Sequence, residues 1–315
     1  MTGTLERPAS TPPPAPSGGA TTKRAARSEG WVRRAPLLPA LVFTIVVTQI
    51  PFLLTIYYSL QSWNLVRPGS QHFVWFQNYV GVFADSQFRG VALNTIIMTL
   101  GSVIIAVILG LLLALLLNRH FIGRGVVRTL LVTPFLITPV AAALLWKTTL
   151  LDPTYGLINF VLGGQTIDWV SEYPLASVMA ALVWQWTPFM MLLLLAGLQS
   201  MPGDQVEAAR VDGAGAWSIF VELTLPHLRR FLELGIVLGA IYLVNTFDAV
   251  YMITQGGPGT ASANLPFYIY QRAFLGFDIG QSAAMGVVVV VLTIIVATFA
   301  LRLVFRSFGA AGSES

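Results

Sequence analysis

The chain has 315 residues, 55% of them hydrophobic and 10% charged, with a net charge of +4. Soluble globular domains carry roughly 25% charged residues, so a mean hydropathy of +0.73 excludes an ordinary soluble domain, a disordered chain and a nucleic-acid binder. The absence of cysteine excludes disulfides, thiolate metal sites and cysteine catalysis, and His72, His120 and His227 lie too far apart in sequence to suggest a metal cluster.

Residues 1–30 are rich in Pro, Ser, Thr, Gly and Ala. Such a segment cannot bury a core, and a disordered cytoplasmic tail is expected. The first apolar run starts too late and is too long for a cleaved signal peptide, so Arg33 and Arg34 are read as anchors of a first span. Charge-free stretches cover 35–66, 90–118, 129–146, 173–203 and 279–301, and 234–253 is broken only by Asp248. Because roughly 20 apolar helical residues cross a bilayer, spans are expected near 36–60, 91–117, 128–150, 175–199, 231–253 and 281–305. The runs lack strict alternation, which favours helices over barrel strands. The expected fold is all-α and polytopic, with one six-helix transmembrane domain over residues 31–310.

Orientation follows from the basic residues. With the N-terminus inside, only Arg67, Arg89, Lys147 and Arg272 of the 18 lysines and arginines fall outside. Both termini are therefore expected in the cytoplasm, and the basic balance is a topology signal.

One inner connection is long, residues 200–230. Pro202-Gly203 ends the fourth span, and Asp204 with Glu207 three residues later reads as a capping-box-like helix start. Gly213 and Gly215 stop that helix, and a second short segment, Trp217 to Leu223, leads into Leu225-Pro226. A small helix–turn–helix with a compact Ala/Gly surface is expected on the cytoplasmic face.

Here the chain resembles the permeases of binding-protein-dependent ABC importers, in the carbohydrate branch. Glu207-Ala208-Ala209, Asp212-Gly213 and Leu225-Pro226 are similar to that family's EAA loop. Asn94-Thr95, Gly123-Arg124, Arg128-Thr129, Pro134, Trp184, Pro188 to Met191, Ala196-Gly197-Leu198, Asp248 and Thr254 to Pro258 (TQGGP) match other blocks, so the likeness covers about residues 35–305. It implies a type I importer permease fold in a bacterial plasma membrane, with no catalytic residue or cofactor in this chain. ATP would be used by two separate ATP-binding subunits, one of which receives the loop in a cleft. A second homologous permease in a heterodimer, an extracytoplasmic solute-binding protein and membrane lipid complete the implied partners; a homodimer is the alternative. Glu207 suits docking because its carboxylate can take a partner arginine in two hydrogen bonds.

Intramembrane polar residues usually face a cavity. Asn245, Asp248 and Tyr251 are spaced by three and would share one helical face; in the family the corresponding stretch lines the sugar pathway. Gln185, Trp186 and Phe189 form a second candidate lining, next to Pro188, with rings to stack on sugar C–H faces and an amide for hydroxyls. Gly235 and Gly239 have GxxxG spacing and are expected at a subunit contact.

No Walker A pattern, internal repeat, HExxH or paired intramembrane carboxylate occurs, which disfavours an ATPase, a secondary transporter or a membrane enzyme. The candidate lining has no arginine or lysine cluster, so a neutral polyhydroxy cargo is expected. Ile167-Asp168-Trp169-Val170, Tyr173-Pro174-Leu175, Leu198-Gln199-Ser200 and Asn264-Leu265-Pro266 resemble permeases for polyols such as sorbitol and mannitol. A mono- or disaccharide of the maltose or trehalose type is the second reading.

Overall fold

A computed structural model describes residues 37–164 and 166–311, without the side chains of 296, 299–301 and 303–311. The expected tail over residues 1–30, with its anchors Arg33 and Arg34, lies outside the described residues. The chain divides into two compact units, residues 1–54 and 55–315. Most of the first described helix, α1 (Leu38–Ser59), belongs to the first unit; it is apolar along its length, and Thr44 and Thr48 return their hydroxyls to the carbonyls of Ala40 and Thr44.

The second unit is a helix bundle. A two-residue hairpin pairs Gln61 with Phe73 and Ser62 with His72. Then follow α2 (Gln77–Ala84), α3 (Ser86–Leu117), α4 (Arg124–Leu136), α5 (Pro139–Leu145), α6 (Leu157–Val161), α7 (Trp169–Glu172) and α8 (Pro174–Gln199). The remainder is α9 (Gly203–Val211), α10 (Ala216–Ser218), α11 (Leu225–Val244), α12 (Asp248–Ile253), α13 (Leu265–Tyr270) and α14 (Ile279–Ala311).

Helix α3 has 32 residues, about 48 Å at 1.5 Å per residue, longer than a hydrocarbon core of about 30 Å. Asp85 starts it by accepting the Gln87 backbone N–H at 2.9 Å, which satisfies one orphan donor of the first turn. One face, from Val91 and Met98 through Ala106 to Ala114, is buried, while Ile96, Leu100, Ile104, Ile108 and Leu112 are exposed. A helix that is apolar on its outward face as well is a membrane span.

Small residues set the packing. A Cβ built at Gly110 would fall 2.7 Å from Met190 Cβ, and one at Gly197 would fall 2.7 Å from Leu228 and Phe231. Because Gly101 meets Met179 and Gly110 meets Met190, α3 and α8 run parallel; Gly197 against Leu228 and Gly239 against Met190 make α11 antiparallel to both. Gly235 and Gly239 are thus buried against Met190, Leu193 and Val103 of their own chain. The GxxxG pair expected at a subunit contact is an internal packing device instead.

By length and composition three helices among the described residues can cross a membrane, α1, α3 and α8, or four if the bent pair 124–136 and 139–150 is one span. That pair, expected as one helix over 128–150, turns by 102°. Pro139 lacks an N–H and forces the preceding residue out of helical geometry, and Ile137 and Thr138 are extended at ψ 138° and 141°. The expected fifth span over 231–253 is also interrupted: α11 stops at Val244 and α12 starts at Asp248. No proline marks this break. Asn264 takes the Thr246 carbonyl with its side-chain amide, so the break is held by a residue 18 positions away. The sixth expected span falls on α14, apolar over Ile279–Ile295.

Candidate functional site

The 200–230 connection is built for exposure. Pro202 is the N-cap of α9, with Gly203 in the first helical position, and no side chain caps it. Asp204 therefore sits inside the first turn, where a carboxylate still complements the helix dipole; the expected capping box does not form. Arg210 occupies the last turn, the favourable end for a cation. The helix closes where Gly213 N donates to Arg210 O at 3.1 Å and Ala214 N to Ala209 O at 2.9 Å. Gly213 makes that closure with φ +83°, and a Cβ there would meet nothing within 4 Å, so glycine is needed for its backbone freedom and not for space.

After Gly215 the chain differs from a simple helix–turn–helix. α10, a wide π-type turn over Ile219–Thr224 and α11 follow without a gap, and Pro226 enters at the start of α11. The second arm is the beginning of the long helix itself. Beneath it, His227 Nε2 lies 3.1 Å from Ser200 Oγ and 3.2 Å from Gly197 O, tying α11 to the end of α8. Sequence reading gave His227 no part in this.

No residue of α9 is buried. Glu207, Ala208, Asp212, Gly213, Leu225 and Pro226 are exposed and Ala209 is half-buried. Val211 and Trp217 of the same connection are exposed at 87% and 76%, and Glu207 joins no ion pair among the described residues. An exposed carboxylate on a connection that also leaves large apolar side chains open is chemistry that suits a protein partner.

The residues expected to line a pathway separate into two groups. Gln185 is buried, and its amide donates to Ile137 O at 3.1 Å, which satisfies a carbonyl freed by the bend before Pro139. Trp186 and Phe189 of α8 meet Phe135 of α4 and Tyr242 of α11, with ring centroids 5.3–5.8 Å apart. Phe135 and Tyr242 were missed in the sequence because they lie on other helices. Asn245 caps the end of α11, exposed, with its amide on Ile241 O at 2.8 Å.

The break at 245–247 separates Asn245 from Asp248 and Tyr251, so the three do not share one continuous helical face as expected. Asp248, half-buried, opens α12. Tyr251 belongs to a second ring group with Phe247, Phe267 and Tyr270, at 5.3–6.2 Å.

Two sequence blocks far apart in the chain meet here. The Asn94 amide donates to Thr260 O at 2.9 Å, Ala261 O at 3.2 Å and Ala263 O at 3.4 Å. Thr95 Oγ1 accepts Leu265 N at 2.9 Å. The 254–264 loop is further locked by Ser262 Oγ, which donates to Thr254 Oγ1 at 2.8 Å. Beside it Arg272 Nη2 pairs with Asp85 Oδ2 at 3.0 Å, and Tyr268 Oη donates to the same oxygen at 2.9 Å. Burial raises the Asp85 pKa, but the bonds from Tyr268 and Gln87 N and the Arg272 charge outweigh it, so the carboxyl lies below the usual aspartate value.

Comparison with known proteins identifies the family. The crystal structure of a bacterial ABC transporter for the acidic polysaccharide alginate superposes with a TM-score of 0.76 at 22% identity, over 90% of this chain and 99% of that one. A trehalose/maltose transport system permease of Thermococcus litoralis is 34% identical over 82% of this chain and 88% of its own length. A trehalose permease of Mycobacterium tuberculosis is 33% identical over 87% of each, and a sulfoquinovosyl glycerol permease of Agrobacterium fabrum is 34% identical over 85% and 88%. Residues 77–309 match the profile of the inner membrane component of binding-protein-dependent transport systems, and the chain belongs to that family of ABC importer permeases, which are membrane proteins and not enzymes.

Proposed function

We propose that this chain is one of two homologous permease subunits of an ABC importer for a neutral polyhydroxy compound. It would cross the membrane six times with both termini in the cytoplasm, receive solute from an external binding protein, and be driven by two ATP-hydrolysing subunits. The observation that carries the reading is the α9 turn. Its Glu207-Ala208-Ala209…Gly213 sequence sits in and just after a helix with no fully buried residue, in a connection that leaves Val211 and Trp217 exposed, and its second arm is continuous with α11. A surface of that kind takes a partner, and a rigid continuation carries the partner's movement into the bundle.

The cargo class rests on the side chains available between the helices: the rings of Trp186, Phe189, Phe135 and Tyr242, the amide of Asn245 and the carboxylate of Asp248, with no cluster of cations for a phosphate or sulfate. Two cargoes divide that class. The relatives whose names include trehalose and maltose support a disaccharide, while the local resemblances around Ile167 to Leu175 and Asn264 to Pro266 support a polyol. Uptake of labelled trehalose, maltose, sorbitol and mannitol in cells with the gene deleted and restored decides between them. Loss of uptake for one of the four on deletion identifies the cargo; unchanged uptake of all four discards the class.

A further inference from the structure

The turn between α3 and α4 has no part in the roles above. It runs Asn118-Arg119-His120-Phe121-Ile122-Gly123-Arg124 and continues into α4 with Arg128. Ile122 is exposed at 104%, and Val126 and Leu130 at 66% and 67%. On α3, Leu112 and Leu116 also face outward, at 58% and 52%. An apolar stripe therefore descends both helices and ends in a basic turn.

Arg119 and Arg128 are exposed and Arg124 is half-buried. The ion pairs among the described residues join Arg229 to Glu233 and Arg272 to Asp85, which leaves these three arginines without a carboxylate. Arg124 and Arg128 are also one turn apart, where like charges repel. The turn thus holds three cations that the fold does not neutralise, directly beside apolar side chains that the fold does not cover.

We propose that this turn, where Arg119, Arg124 and Arg128 border the exposed Ile122 and Val126, binds the headgroup of an anionic phospholipid. The guanidinium forks match phosphate oxygens, and Ile122 and Val126 enter the acyl boundary next to them. Lipid is favoured over a protein partner because exposed apolar side chains, Leu112 and Leu116 of α3 and Val126 and Leu130 of α4, lie on both sides of the turn, and because the unpaired charge is of one sign. Each arginine near an anionic surface strengthens binding about fivefold. The inference rests on the membrane-spanning reading proposed above.

The chain has no cysteine, so Ile122→Cys can carry a single environment-sensitive fluorophore in the full-length protein reconstituted in nanodiscs. Brominated phosphatidylglycerol should quench it more strongly than brominated phosphatidylcholine at the same mole fraction. Arg119→Gln, Arg124→Gln and Arg128→Gln together should remove that preference, and added salt should weaken it. Equal quenching by both lipids with the arginines intact would overturn recognition of the anionic headgroup. Quenching by neither would overturn lipid occupancy and assign the turn to a protein partner. A fluorophore at Leu112→Cys separates the two readings: it should be quenched by both lipids, and if it is not, the spanning reading fails and not the headgroup site alone.

Discussion

At the end of the bundle where α3 begins, the asparagines are fully engaged. Asn78 donates to the carbonyls of Ser59 and Gln61, Asn94 to three carbonyls of the 254–264 loop, and Asn264 to Thr246. At the end where α8 passes into α9, the connection buries no residue of α9 and leaves Val211 and Trp217 open. Those amides are satisfied within the chain, although Val66, Trp75 and Phe76 at the same end stay exposed at 65–68%. The second leaves a short helix and two large apolar side chains open, the surface proposed above to meet the ATP-binding subunit. The contrast teaches where to look for coupling: a helix with no buried residue is open to a partner, while the 254–264 loop at the first end is held to the bundle by amides of its own chain.

Breaking the open end should have the largest effect on function and the smallest on folding. Glu207→Lys is expected to abolish solute uptake while the chain still inserts in the membrane, measured by transport and by membrane-fraction immunoblot. Gly213→Val, forced to hold φ +83°, should cost about 1–2 kcal/mol locally and reduce uptake without lowering the amount inserted.

Breaking the middle, where the two ends are joined, should act on stability. Gly110→Leu would push a Cβ to 2.7 Å from Met190 Cβ and 2.8 Å from the Met191 backbone N. Overpacking of this kind costs about 1–3 kcal/mol, read as a lower melting temperature of the purified protein in detergent.

These tests fall on features the sequence made legible to different degrees. The apolar runs and the EAA spacing were readable because they depend on local composition and on residues a few positions apart. Gln185 on Ile137, Asn264 on Thr246 and Asn94 on Thr260 could not be read, since each joins an amide to a carbonyl that only the fold brings near. The bend at Pro139 had a local signal in the proline; the break at 245–247 had none. For the same reason the spacing of Asn245, Asp248 and Tyr251 suggested a shared face that the break removes.

Breaking the closed end should have a moderate effect on stability. Asn264→Ala leaves the Thr246 carbonyl unpaired and uncaps α13, whose Phe267 N it accepts at 3.2 Å. An unsatisfied buried group costs about 1–3 kcal/mol, again read from the melting temperature, while pull-down of the ATP-binding subunit should be unaffected.

The smallest expected effect is one of pH. Because the Asp85 carboxyl is held below its usual value of 3.8, its contribution is present above that value and is lost as pH falls through the lowered one. The Asp85–Arg272–Tyr268 contact should therefore loosen only in strong acid. Arg272→Gln should move the loss to higher pH, measured by melting temperature against pH for the two proteins.

The role proposed for α9 and its turn is to receive a separate ATP-hydrolysing subunit. A photo-crosslinker placed at Ala208 tests it directly, with Val66, exposed in the hairpin at the closed end, as the comparison site. A one-to-one adduct with the ATP-binding subunit is expected from position 208 and none from position 66. An adduct from 66 and not from 208 would contradict it.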